Sequence, residues 1–278
     1  MLHMKSAYRS VKEEGYLIIP EIFRGNELTR LKSACDGVLE RFTEEHDREK
    51  PQTDFMAVRN IHDPKWFDEG NREQKNAILE LIADPRCVGT VEQILGGPSL
   101  FRSISYMVNP RYSSEDGNWH RDTQFMVKDD EEERAMIRKF RSAEHVSGVH
   151  LQIALVDNDD IEYVPFSANR YDSPDEAYIR LDDNKSHCRE DGMPNALRIA
   201  LKAGDGLIFD PVGHHRGRYH KEIPRRTLHI TYSSVNYPLH DEFAVQPWFD
   251  EPDYLSGLSQ RTAGYYRHYA DVYRRNWS

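Results

Sequence analysis

The sequence predicts a mainly β domain, a sandwich or barrel, with helices packed on its flanks. Two observations predict it. From residue 100 onward, short apolar or alternating runs recur between turn residues, at 101–108, 149–156, 162–164, 197–200, 206–209 and 226–235. Before and after that region, apolar residues repeat instead at three- and four-residue spacing. A chain of 278 residues is long for one average domain, yet β sandwiches and barrels often fill this length as one unit. One domain over 1–278 is therefore expected, with a helical N-terminal flank (1–99), a β core (100–236) and a helical C-terminal extension (237–278).

In chain order, residues 8–14 read as a short helix stopped at Gly15, followed by the apolar strand 16–20. Asn26 can cap a helix whose Leu28, Leu31, Cys35, Val38, Leu39 and Phe42 form one buried stripe. Residues 43–71, polar and carrying Pro51, Pro64 and Gly70, read as loop. Helices are expected near 72–83 and 85–95, the second ended by Gly96-Gly97-Pro98. Within the β region, the acidic run 129–133 precedes Arg134, Arg138, Lys139 and Arg141, the order a helix dipole favours, which predicts a surface helix. The tail 259–277 places Tyr265, Tyr266, Tyr269, Val272 and Tyr273 at helical spacing, an aromatic face to pack on the sheet.

The net charge of −10 argues against general affinity for nucleic acid or an anionic membrane. No apolar run approaches the roughly 20 residues of a membrane span, and the first residues lack the apolar core of a signal peptide. A cytoplasmic protein is expected. Cys35, Cys87 and Cys188, odd in number and widely spaced, read as reduced structural thiols. The sequence leaves the oligomeric state open.

Chemistry enters at Trp119-His120-Arg121-Asp122. Alternate residues of a strand share a face, so His120 and Asp122 can bind one cation together. The chain holds three such pairs: His120-Arg-Asp122, His220-Lys-Glu222 and His240-Asp-Glu242. Only the first is followed by several strand-like runs, a Gly204-Asp205-Gly206 turn, a histidine pair at 214 and 215, and arginines about ten residues further on. The other two read as solvated surface. With one of the two later histidines, His120 and Asp122 make two imidazoles and a carboxylate on one face of a metal, the ligand set of a non-heme Fe(II) oxygenase.

At these residues the sequence resembles the phytanoyl-CoA dioxygenase family of Fe(II)/2-oxoglutarate-dependent oxygenases. The resemblance is carried by Glu14-Gly-Tyr-Leu-Ile-Ile-Pro20, Ile94-Leu-Gly96, Trp119-His-Arg-Asp122, and 204–217 with Arg225-Arg226, together spanning about residues 11–236. It implies a double-stranded β-helix, a cupin-like jelly roll, with iron in its mouth. The family pattern selects His215 over His214 as the third ligand. It also implies a co-substrate arginine ten to twelve residues on. Arg226, at the start of an apolar strand, is the expected residue, and Arg225 is expected to face solvent. A guanidinium suits the far carboxylate of 2-oxoglutarate because its planar fork binds it in bidentate fashion.

The implied activity is oxidation of a C–H bond of a small-molecule substrate by dioxygen, with release of succinate and CO2. Because Asp122 fills a ligand position, hydroxylation or oxidative ring closure is expected rather than halogenation. Two departures from the family pattern stand out: Val164-Pro-Phe-Ser-Ala-Asn169 in place of Pro-Gly-Ser-His, and Leu228 where a hydroxyl two residues after the arginine often helps hold the co-substrate. Ser103, Ser105 or Tyr106 could compensate for the second. The acidic run 129–133 reads as a solvated helix start, or else as a lid favouring a polar or cationic substrate. His145, His150, His187 and His229 read as structural, His150 being notable for its place on a core strand. Nothing selects the substrate beyond a small specialised metabolite. The rival readings are a non-catalytic β-helix binding module and a cupin-like metal enzyme that does not use 2-oxoglutarate.

Overall fold

Two antiparallel sheets face each other in the computed structural model, which describes residues 6–181, 186–236 and 242–277. The chain opens with the helical turn α1 (Ala7–Arg9), which runs into a π turn (Ser10–Glu14) closed by Gly15 in the left-handed region at φ 95°. Only glycine adopts that φ without strain, and a side chain here would collide with Tyr163. Strand β1 (Tyr16–Ile19) follows, then helix α2 (Gly25–Glu49), strand β2 (Ala57–Arg59) and helices α3 (Arg72–Ile82) and α4 (Pro85–Leu95). Strands β3 (Ser99–Val108) and β4 (Glu115–Asp116) lead to helix α5 (Asp130–Ser142), strands β5 (Gly148–Ala154) and β6 (Asn158–Tyr163), and helix α6 (Pro174–Arg180). Strands β7 (Leu197–Leu201), β8 (Gly206–Phe209), β9 (His215–Tyr219) and β10 (Arg226–Ser234) complete the sheets, and helix α7 (Gln260–Trp277) ends the chain.

The large sheet has the order β1-β8-β5-β10-β3-β2 and the small one β4-β9-β6-β7, the jelly-roll arrangement. The sheet is not confined to residues 100–236, since β1 and β2 from the N-terminal flank form its two edges. Strand β2 and the last turns of α2 both fall in the stretch read from sequence as loop.

Alternation sorts the side chains of the large sheet. Leu151 and Ile153 of β5, Ile208 of β8, and Leu228, Ile230 and Tyr232 of β10 face outward, into one core with α2, α3, α4 and the tyrosines of α7. Their neighbours face the space between the sheets, where Ala154, Ile161, Tyr163, Leu207 and Phe209 make a smaller apolar floor. The inward positions left over, at 150, 152, 227, 229 and 231, are polar. The apolar core therefore sits behind the large sheet, and the barrel interior is left for chemistry.

The outer core buries His62 against Phe101, Trp248 and Phe249, with Nε2 2.8 Å from Gln246 Oε1. Burial pushes its pKa from 6.5 to about 3. The unfolded chain takes up this proton below pH 6.5 and the folded chain does not, so the stability is full above 6.5 and falls on acidification, by about 2 kcal/mol at pH 5. Buried His214 and His229, also shifted downward by burial, act in the same direction. Asp210, raised by burial to about 6, opposes them by about 1 kcal/mol over the same window. The urea midpoint of metal-free protein is expected to be lower at pH 5 than at pH 7; an equal or higher midpoint would show that these imidazoles are not held neutral.

Candidate active site

His120 and His215 meet as an isolated antiparallel bridge. The His120 N–H donates to the His215 carbonyl (3.1 Å) and the His215 N–H to the His120 carbonyl (3.0 Å), which sets the two rings 4.2 Å apart. Asp122 is fixed by its own N–H, which donates to the Pro211 carbonyl at 2.9 Å, and starts a 3-10 turn (Asp122–Phe125). Asp122 Oδ1 lies 3.7 Å from His120 Nε2 and 3.6 Å from His215 Nε2, and the three ligand atoms all fall within 4.8 Å of one another.

The tautomers are set by the backbone. His120 Nδ1 donates to the Asn118 carbonyl (2.7 Å) and His215 Nδ1 to the Gly213 carbonyl (3.0 Å), so both Nε2 lone pairs are free to point at Asp122 Oδ1. Burial, reinforced by His120, pushes His215 down to about 3, so its imidazole is neutral and ready to ligate. Burial alone would raise the Asp122 carboxyl. The His150 hydrogen bond and three surrounding imidazoles more than offset this and hold it well below the usual carboxylate range. Ligands about 2.1 Å from one ion sit roughly 3.0–3.6 Å apart, so the donor set fits a first-row divalent metal with little adjustment.

A second layer fixes Asp122. His150 Nε2 lies 2.8 Å from Asp122 Oδ2 and must donate to it, because a carboxylate only accepts. His150 Nδ1 then accepts from His229 Nε2 at 2.8 Å, with the Thr231 hydroxyl 3.0 Å away, and His229 Nδ1 accepts from Gln152 Nε2 at 3.2 Å. The directed chain Gln152, His229, His150, Asp122 leaves Oδ1 as the oxygen free for a metal. His150 and His229 are thus hydrogen-bonded structural residues, as read from sequence, and what they hold in place is Asp122. Replacing His150 with alanine is expected to weaken metal binding 10- to 100-fold, measured by titration of Ni(II); unchanged affinity would show that Asp122 needs no support.

The arginines reverse the expectation. Arg226 shares a strand face with Leu228 and Ile230 and turns to the helical side, where Nε donates to Asp36 Oδ1 of α2 at 3.0 Å. It does not reach the space between the sheets. Arg225, expected to face solvent, is 1 % exposed and shares the inner face with Thr227 and His229. Its guanidinium lies over the Tyr219 ring at 4.9 Å and 3.7 Å from Asp160 Oδ2. Its Nε and both Asp160 oxygens make no hydrogen bond. Two residues after Arg225 stands the hydroxyl of Thr227, buried and facing inward. Of the residues considered as its substitutes, Tyr106 faces outward and donates to Asp36, while Ser103 and Ser105 face the cavity.

The family model for phytanoyl-CoA dioxygenase (PhyH) matches residues 11–226. The chain belongs to the phytanoyl-CoA dioxygenase family. It is thereby an iron- and 2-oxoglutarate-dependent oxygenase. Among curated proteins none matches closely enough to stand as a relative. Its fold is shared by AviO1 from Streptomyces viridochromogenes Tue57 (17 % identity, TM-score 0.58, covering 84 % of this chain and 96 % of that one). It is shared also by EctD from S. alaskensis with bound Fe (17 %, 0.59, 84 % and 77 %). A third is HygX from Streptomyces hygroscopicus, crystallised with nickel and 2-oxoglutarate (13 %, 0.54, 83 % and 86 %).

In this family member a buried ionic cluster supports the loop that carries Asp122. Arg121, between two members of the triad, donates to the carbonyls of Ser167, Val212 and Arg170 and to Asp172. Asp172 also accepts from Arg180 and from His214 Nε2 at 2.9 Å. His214 therefore turns away from the triad. Glu133 of α5 is buried against Arg180 and accepts from Thr123. Thus α5 is clamped to the loop that carries Asp122; its acidic residues 130–132 point to solvent, and Phe140 lines the cavity. Its acidic start is solvated, as read from sequence, except at buried Glu133, and the helix is a wall of the cavity rather than a free lid. Of the other His-x-acid pairs, His220 stands near Asp116 in the β9–β10 hairpin, away from the triad, and His240 lies outside the described residues.

Proposed function

We propose that His120, Asp122 and His215 hold Fe(II), and that Arg225 with Thr227 receives the far carboxylate of 2-oxoglutarate in an enzyme oxidising a small specialised metabolite. The observation that carries the first assignment is the pair of imidazoles whose Nδ1 protons are committed to carbonyls, both Nε2 lone pairs converging on one carboxylate oxygen. The second rests on the orphaned guanidinium nitrogen of Arg225 inside the barrel. A bound anion would complete its bonding, with the fork geometry that a lysine lacks.

When bound, Fe(II) with 2-oxoglutarate and dioxygen supplies the oxidising chemistry, releasing succinate and CO2. The protein's own part is positional. Backbone carbonyls orient the two imidazoles, His150 keeps one Asp122 oxygen occupied, and Arg225 and Thr227 fix the co-substrate's far end. The triad, facing one side, leaves the opposite side open toward the cavity. Hydroxylation or ring closure fits a site whose carboxylate position is filled. Cysteines as few as three, all buried, suit a reducing, cytoplasmic setting, and among the described residues no helix is long and apolar enough to cross a membrane.

The test is anaerobic addition of Fe(II) and then 2-oxoglutarate, read as a visible charge-transfer band, followed by oxygen and a succinate assay. Folded protein giving neither band nor succinate would sink the assignment. Metal binding without succinate would favour a non-catalytic module.

A further inference from the structure

The cavity beside the triad has a volume of about 580 Å³ and two unlike walls. One is built from inward positions of β2, β3 and β10: Arg59, Ser103, Ser105 and Thr231. The other is apolar, formed by Phe125 and Met126 after the triad's Asp122 and by Phe140 of α5. Phe125 is 68 % exposed, its ring 5.7 Å from that of His120. These three side chains make a contiguous apolar lip over a polar floor, an arrangement that suits a ligand with two unlike faces.

Charge narrows the class. Among the described residues Asp122 is the sole carboxylate in the lining, and its charge is committed to the metal site. Two guanidiniums face it. Arg102 is held by Glu242 at 2.9 Å, whereas the Arg59 side chain has no ion pair or hydrogen bond among the described residues. The acidic side chains of α5 that could have attracted a cation point outward instead, Asp130 paired with Arg134 and Glu132 with Lys128. An unpaired cation at a cavity lip, in a chain of net charge −10, attracts an anion and repels a cation. One guanidinium matches the single charge of a carboxylate in bidentate fashion; it could grip a phosphate with the same fork, but the second charge of a dianion would stay uncompensated because Arg102 is taken.

Register sets the length. Arg59 pairs with Ser105, Ser105 with His229, and His229 with Gln152. Three strand spacings of about 4.8 Å separate β2 from β5, the strand whose His150 holds Asp122, so Arg59 and the triad stand at opposite ends of the cavity floor.

We infer that the substrate is a small amphipathic carboxylic acid. Its carboxylate pairs with Arg59, its polar edge faces Ser103 and Ser105, and its apolar ring or chain lies under Phe125 and Phe140. This rests on the triad being the reaction centre.

The test uses the full chain loaded with Ni(II) and 2-oxoglutarate and three probes of equal length, 4-phenylbutyrate, 4-phenylbutyramide and 4-phenylbutylamine, titrated calorimetrically. The acid is expected to bind at least tenfold more tightly than the amide, and the amine most weakly. Arg59→Gln should bring acid and amide within twofold, Arg59→Lys should keep part of the preference, and Phe125→Ala should weaken acid and amide alike. Equal binding of acid and amide, no binding of any probe, or a preference that survives Arg59→Gln overturns the inference. The Fe(II)/2-oxoglutarate band of the same protein separates the two levels. A band without acid selectivity removes the substrate class alone; acid selectivity without a band removes the metal assignment alone.

Discussion

Replacing Arg225 with lysine is expected to raise the KM for 2-oxoglutarate 10- to 100-fold, while Arg226→Ala leaves it within about twofold. Lysine keeps the charge beside Asp160 but loses the planar fork, so only bidentate recognition is removed. Arg226 stands on the other face of the sheet with Asp36, in a partly exposed pair. Its loss should cost no more than roughly 1 kcal/mol of stability. Arg225→Ala is the more severe change, because it leaves Asp160 buried, without a hydrogen bond and without its cation. Burial already pushes that carboxyl upward, and Arg225 pulls only part of the shift back. A loss of about 3–5 kcal/mol follows from an uncompensated buried charge. The double variant Arg225→Met, Asp160→Asn should recover most of that stability without recovering 2-oxoglutarate use. If Arg226→Ala raises the KM and Arg225→Lys does not, the co-substrate end of the site is misassigned.

That arginine also shows where the sequence stops being legible. His120, Asp122 and the histidine pair could be found because their spacing has a chemical reason and because turns and strands follow them in order. The inward-facing arginine is Arg225 and not the expected Arg226, a difference of one residue, which on a strand exchanges the two faces. The correct parity is visible in β10 itself: Leu228, Ile230 and Tyr232 are the apolar set, so Thr227, His229, Thr231 and hence Arg225 belong to the other face. Counting from the family's histidine crosses the β9–β10 hairpin, whose length is free to vary, and the count carries that freedom with it. Strand β2 was hidden for another reason. Ala57-Val58-Arg59 is too short to show a period, and its pairing with β3 comes from 46 to 50 residues further along. The helices at 85–95 and 130–142 are legible because each carries its own cap, Asp84 with Pro85 and Gly96 in the first and Asp129 in the second, and its own amphipathic spacing; the helix at 72–82 is legible from spacing alone. His150 was noticed for its strand, but its contact with Asp122 spans 28 residues and belongs to the tertiary fold.

Metal is expected to raise the melting temperature of the wild-type protein and of His214→Ala, but not that of His215→Ala. The two histidines are neighbours that face opposite ways, and both are buried. His215 offers Nε2 to the triad, so its loss removes a ligand. His214 instead donates to Asp172 in the cluster with Arg121 and Arg180, so its loss opens a polar cavity beneath the metal loop, at about 2–4 kcal/mol. On activity alone the two variants could look equally poor. Ligand-linked stability separates them: at a hundredfold excess over Kd, metal adds about 2.7 kcal/mol, roughly 5–10 °C for a chain of this size. His214→Ala should start lower and still rise by that amount, and His215→Ala should stay flat. Asp122→Ala should stay flat as well, since it removes the carboxylate on which both Nε2 atoms converge. A metal response in His215→Ala that is absent from His214→Ala would reverse the two roles, and with them the choice of third ligand.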